Sequence, residues 1–364
     1  VELVLEAKLA LACNLIFLMD AAAAEALVRE VVAGCERVYG PHHEETLRAL
    51  QCLWLWCYVF GYSDECLEIS DRRMEIVRTS PRPLDYVSFQ IKAESAVMLQ
   101  KRRHEVAAAE TLAREAVAEG LATRNRTIGV AFSHFALGNS LAARGELAAA
   151  EECLRAAVDV LAAASGETAS LEFREVLGEC VSMQSGREDE GLEMMRSAVD
   201  SARAQMGQDS PRAAFMLSSL ARRLWNSDRL EEAEERYREY FAMLRRGNHP
   251  AIQTHAQNLH DFGRVLLQRG KSAEAERVLR DGLELAGRFS RDQWLRHDWD
   301  DRLLLSALAQ SLQAQGKDSE AEPVYAQIRE RAKDPRKPWE VERLAAELRQ
   351  LGRAAEADAI GAAD

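Results

Sequence analysis

Proline, glycine and aromatic residues are scarce in this chain. Its 364 residues include 8 prolines, 20 glycines and only 6% aromatics, which leaves room for long helices. A long uncharged apolar run is also missing. The stretch from Leu9 to Met19 is interrupted by Asn14 and bounded by Lys8 and Asp20. That is too short to span a bilayer and lacks the charged flank of a secretory leader, so no membrane insertion by this segment is expected. Excess positive charge is absent as well. The formal net charge is −12, a field that repels nucleic acid unless a local basic stripe overrides it, and no such run exists.

The seven cysteines form no C-x-x-C pair and match no zinc-ligand spacing. They fall among apolar residues, which predicts buried thiols in a reducing, cytoplasmic compartment. Phosphate-binding and hydrolytic signatures are lacking too. The "RGKS" at 269–272 echoes the end of a P-loop, but Val265 stands where that motif needs glycine. His42-His43-Glu44-Glu45 reads as a solvated loop, since adjacent histidines in a loop usually diverge. These residues are therefore expected to hold no catalytic site, no metal and no cofactor. The chain does not begin with Met and reads as a piece of something longer.

What the sequence has is an internal repeat. "GELAAAEECLRAAV" (145–158), "GKSAEAERVLRDGL" (270–283) and "GKDSEAEPVYAQIR" (316–329) each open with Gly and carry Ala five residues later. That small residue recurs at Ala24, Cys66, Ala109, Ala150, Gly191, Ala233, Ala275, Ala321 and Ala357, at intervals of 42, 43, 41, 41, 42, 42, 46 and 36. The period predicts paired helices: an A helix ended by the Gly, then a B helix with apolar residues on one face, as at Ala150, Leu154 and Ala157. Seven of the eight prolines fall between one B helix and the next A helix, where proline costs least, and only Pro323 lies inside a unit. The expected units are 1–39, 44–79, 85–120, 125–165, 168–206, 210–246, 249–287, 298–333 and 338–361 of a single array.

Leu137-Gly138, Leu141, Ala150, Leu154 and Ala157 resemble the Leu-Gly, large apolar, Ala, apolar and Ala positions of the tetratricopeptide repeat. A unit near 42 residues is similar to the longer kinesin-light-chain-like variety. The resemblance covers nearly the whole chain and implies an all-α superhelix of about nine helix-turn-helix repeats. It also implies a protein-binding scaffold or adaptor rather than an enzyme, with the A helices lining a concave groove. Similar arrays lie C-terminal to bacterial serine/threonine kinase domains and signalling ATPases, so a regulatory tail of such an enzyme is the alternative.

Carrying the groove register from Gly138 along the A helices gives candidate partner-binding residues. They are Arg48, Gln51 and Tyr58 in unit two, Glu94 and Lys101 in unit three, and Phe132, Phe135 and Asn139 in unit four. Unit six supplies Ser218, Arg222 and Trp225; unit seven, Gln257, His260 and Arg264; unit eight, Ser306, Gln310 and Gln313. Arg, Trp, His and Gln on one face can hydrogen-bond an extended backbone and clamp a carboxylate. The expected partner is a peptide or protein segment of acidic or extended character, held by units six to eight. In unit two, "LWLWCYVF" (53–60) is apolar all round, and the register reads it as a buried helix with Trp54 at the close-packing position, the alternative being that Tyr58 and Leu55 anchor a partner helix in the groove.

Overall fold

Glycine at the end of several A helices, and a small residue early in each B helix, set how the helices fold back on one another. The computed structural model describes residues 2–17, 21–60, 63–80, 85–100, 105–122, 128–167, 169–247, 252–289 and 301–331, with isolated positions between 345 and 358. The described residues form sixteen helices and no strand. In A–B pairs these are α1 (Glu2–Phe17) and α2 (Ala21–Tyr39), α3 (Glu44–Phe60) and α4 (Ser63–Thr79), α5 (Asp85–Gln100) and α6 (Val106–Ala122), and α7 (Ile128–Ala143) and α8 (Leu147–Ser165). There follow α9 (Leu171–Ser182) and α10 (Glu188–Met206), α11 (Pro211–Asn226) and α12 (Leu230–Gly247), α13 (Ile252–Gln268) and α14 (Ser272–Phe289), and α15 (Asp301–Gln313) and α16 (Asp318–Arg331). Lys101, residues 290–300, and the expected ninth pair at 338–361 apart from those isolated positions lie outside the described residues.

The chain comprises two compact units. The first holds Val1–Arg223 with Tyr240–Ala251, and the second holds Leu224–Glu239 with Ile252–Asp364. Within the first, α1 packs on α2 and α3, α5 on α6 and α7, α7 on α8, and α9 on α10. Within the second, α13 packs on α14 and α15, and α15 on α16.

Four of the described A–B turns share one geometry. Gly145, Gly270 and Gly316 have φ of 82°, 74° and 71°. At each, the glycine N–H reaches back three residues and the next N–H reaches back five, as in Gly145 N to Ala142 O at 2.9 Å and Glu146 N to Leu141 O at 2.9 Å. These are paired Schellman bonds that satisfy the last carbonyls of the A helix. The "RGKS" segment is this turn. The α11–α12 turn lacks the glycine, and Asp228 takes the left-handed conformation instead at φ 58°. Its bonds are the same: Asp228 N to Trp225 O at 3.0 Å and Arg229 N to Leu224 O at 2.9 Å.

The small B-helix residues Ala24, Cys66, Ala109, Ala150, Ala233 and Ala275 are fully buried, so A and B helices meet closely. Trp54 and Trp56 are core residues, each 1% exposed, and the Cys66 thiol faces the Trp54 carbonyl at 3.7 Å. The Trp54 ring stacks on Tyr58 with centroids 5.3 Å apart.

A second feature recurs with the small residue. Directly after the small residue stand Glu25, Glu110, Glu151, Glu234 and Glu276, buried or nearly so, each followed four residues on by Arg. Four of them also receive a side chain from the next A–B turn of the same unit. Arg144 reaches Glu110 at 2.5 Å, Arg187 reaches Glu151 at 2.5 Å, Arg269 and Lys271 reach Glu234 at 2.5 and 2.6 Å, and Lys317 reaches Glu276 at 2.8 Å. Charge-assisted bonds to a mostly buried carboxylate fix these four B helices to the hairpins that follow them.

Candidate functional site on the A-helix faces

A helices present their register positions as a stripe, and what each side chain meets there decides whether it serves the array or is open to a partner. In the first unit, much of the stripe is taken up by the fold. Gln51 Nε2 donates to Glu94 Oε1 at 2.9 Å, and Glu94 Oε2 accepts from the buried Arg73 at 2.5 Å. Arg73 also donates to Gln51, and Gln90 donates to Glu94 at 2.9 Å. Gln51 and Glu94 are thus parts of a buried ion-pair network joining α3, α4 and α5. Phe135 is buried and stacks on Phe173 with centroids 4.1 Å apart, and Phe132 meets Phe173 edge-on at 5.6 Å. Asn139 is half-buried on the same helix as these rings. Arg48 is exposed and pairs with Glu45 at 2.9 Å, one turn before it.

Tyr58 lies within the field of charged groups on α9 and α11 of that unit. Tyr58 is half-buried; burial, then the Glu172 carboxylate, push its phenol above the ordinary range, with Arg212 opposing. Arg212 donates to Glu172 at 2.7 Å. Glu175 is buried, and its carboxyl is pushed up to about 8. Burial is the main cause and the Glu179 carboxylate adds to it, while the Ser219 hydroxyl and the Arg222 guanidinium oppose it. Arg222 is exposed on α11, and Ser218 is buried with its hydroxyl given to the Phe215 carbonyl at 2.8 Å.

The second unit carries the densest set of predicted residues. Trp225 donates its indole N–H to Gln268 Oε1 at 2.7 Å. On α13, Gln257 Nε2 donates to Asp261 Oδ1 at 2.7 Å, and His260 Nδ1 lies 3.0 Å from the same oxygen. Holding Nδ1–H against a carboxylate leaves Nε2 as the acceptor nitrogen. That Nε2 is buried with no hydrogen-bond partner among the described residues. One turn on, Arg264 Nη1 faces Gln310 Oε1 on α15 at 3.4 Å, and Gln310 Nε2 faces Ser306 Oγ at 3.4 Å. Gln257, His260, Arg264, Gln310 and Ser306 therefore share one face of α13 and α15. Gln313 lies elsewhere: its Oε1 accepts from the Tyr325 hydroxyl of its own B helix at 2.8 Å.

The two loop histidines diverge. His42 Nδ1 meets Thr79 Oγ1 at 3.1 Å, whereas His43 Nδ1 accepts from the Glu45 N–H at 3.1 Å and its ring stacks on Tyr39. Among the described residues no group of three or more His, Cys, Asp or Glu could hold a metal ion. No described helix is long and apolar enough to cross a membrane.

Comparison with known proteins agrees with the repeat. Residues 4–45 match a family model described as tetratricopeptide repeat. A Rap protein solved in complex with Competence and Sporulation Factor is 14% identical, with 98% of this chain and 95% of that one covered and a TM-score of 0.57. The apo form of the quorum sensor NprR from B. thuringiensis is 11% identical, with 98% and 96% covered and a TM-score of 0.54. A putative kinesin light chain with nearly identical TPR-like repeats from Podosopora anserina is 20% identical over 56% of this chain and 96% of that one, with a TM-score of 0.44. No curated protein matches the chain by sequence. The fold is a TPR-like array of helix pairs.

Proposed function

We propose that the chain is a protein-interaction scaffold whose A-helix face on α13 and α15 takes an extended, acidic segment of a partner. The observation that carries this reading is the pairing of Arg264. On the B helices, the arginines four residues after the buried glutamates all meet carboxylates. Arg264 is half-buried on the A-helix face, and its hydrogen bond is to the neutral Gln310 at 3.4 Å. A guanidinium held this way keeps its fork of donors for an incoming carboxylate. Gln257 and Gln310 are half-buried on the same face, and their side-chain amides are suited to the backbone of an extended segment.

The scaffold reading is in keeping with a structural neighbour solved in complex with Competence and Sporulation Factor. Seven free thiols suit a reducing cytoplasm. The same face would serve a recruiting region of a larger bacterial serine/threonine kinase or signalling ATPase. A His-Arg-Asp catalytic loop or a P-loop upstream in the gene identifies that case.

The test is panning of a random-sequence peptide display library against the full chain. Selected peptides are expected to be enriched in Asp and Glu, and Arg264→Glu is expected to weaken them by roughly tenfold or more. Selected peptides without acidic enrichment, or unchanged affinity in Arg264→Glu, would overturn the reading.

A further inference from the structure

The A helices of the first two repeats bring two thiols together. Cys13 Sγ on α1 and Cys52 Sγ on α3 are 3.2 Å apart, although the residues are 39 apart in sequence. Two helices packed side by side need only a small side-chain adjustment to close that gap to an S–S bond of about 2.05 Å. Access is asymmetric: Cys52 is buried, whereas Cys13 is half-buried and reachable from solvent. A second close pair, Cys57 and Cys66, is buried at both ends. Only the first pair combines sulfur contact with a reachable thiol among the described residues.

We propose that Cys13 and Cys52 form an oxidisable dithiol, a site that a small-molecule disulfide such as glutathione disulfide converts into a bond stapling α1 to α3. Cys13 is the attacking thiol. The hydrogen bond from Cys52 brings it down to about 7 against the opposing effect of burial, so a good part is thiolate near neutral pH. Cys52 is pushed up, first by that same hydrogen bond and then by burial, and stays a thiol until it is needed.

In the first step Cys13 gives its proton to solvent and its sulfur attacks one sulfur of the small disulfide. The Cys13–S bond forms, the S–S bond of the reagent breaks, and one small thiolate leaves and is protonated. In the second step Cys52 Sγ attacks Cys13 Sγ. The Cys13–Cys52 bond forms, the mixed disulfide breaks, and the second small thiol leaves with the proton of Cys52. The protein loses two electrons and two protons, and the reagent is reduced to two thiols. The staple fastens α1 to α3, the A helices of two successive pairs that already pack together.

The reduced full-length chain is incubated with glutathione disulfide, its remaining thiols are alkylated, and the digest is read by mass spectrometry. The expected wild-type product has lost two hydrogens and yields a linked Cys13–Cys52 peptide. Cys52→Ser is expected to accumulate one glutathionyl group on Cys13, and Cys13→Ser to take up none on Cys52 over the same time. Wild-type protein that stays alkylatable at both positions, or links other cysteines instead, would overturn the proposal whatever the variants do. In the linked wild type, amide exchange in α1 should slow by roughly tenfold or more and recover on reduction. Unchanged α1 exchange would overturn the staple.

Discussion

Arg187 Nη1 sits 2.5 Å from Glu151 Oε2, joining the A–B turn before α10 to helix α8 of the preceding pair. Arg155 reaches the other carboxylate oxygen at 2.6 Å, and Gln184 donates at 2.7 Å. Arg187 is the first cause that holds the Glu151 carboxyl down to about 2, outweighing burial. In the second unit Lys317 does the same for Glu276, also to about 2. A carboxylate depressed in the folded state contributes stability that is present above its unfolded value and is lost as pH falls through the folded one. Acid should therefore weaken the array between about pH 4.5 and pH 2. Glu151→Gln is expected to cost about 1–3 kcal/mol at pH 7, measured by urea unfolding, and to cost little near pH 2. An undiminished penalty at pH 2 would mean that the side chain acts through packing rather than charge.

These locks leave a trace in the sequence. The repeat was found through its small residue, yet the Glu directly after it and the Arg four later recur in the same lines, at Ala24-Glu25 and Arg29, Ala150-Glu151 and Arg155, and Ala275-Glu276 and Arg280. Helix pairing and its turns follow from local rules of periodicity, glycine and proline, and so could be read directly. Register transfer placed Gln257, His260 and Arg264 on one face, but it could not show that Gln51 belongs to the Arg73–Glu94 network or that Gln313 turns toward Tyr325. Such partners lie 12 to 43 residues away, and only the packed backbone brings them together. The Cys13–Cys52 contact was hidden for the same reason.

Glu175 should behave in the opposite sense to Glu151. Burial, then Glu179, push its carboxyl up to about 8, so between about pH 4.5 and pH 8 the folded chain holds a proton that the unfolded chain has released. Its contribution therefore turns unfavourable as pH rises through that window and levels off above it. Glu175→Gln mimics the protonated form and still accepts from Ser219 through its amide oxygen. The variant is expected to be more stable than the wild type at pH 8 by roughly 1–3 kcal/mol, and equal to it near pH 4. Thermal melts of both proteins across that range measure the difference, and a Glu175→Gln chain less stable at pH 8 would refute the assignment.

Gly191 occupies the B-helix position where other repeats carry Ala or Cys, and the reason is backbone proximity. A Cβ there would lie 2.2 Å from Ser182 N and 2.4 Å from Gly178 O, both main-chain atoms of α9. Neither can swing aside as a side chain could, so α9 and α10 would have to move apart. Gly191→Ala should therefore cost about 3 kcal/mol or more, even though alanine is the better helix former and is fully buried at the equivalent Ala150. Gly145→Ala meets no atom within 4 Å and bears only the strain of its φ of 82°. Its cost should be smaller, about 1 kcal/mol. Chemical denaturation of the two variants side by side separates contact from conformation. The order reverses only if the α9–α10 interface can relax, which would show as a lower m-value along with the lower midpoint.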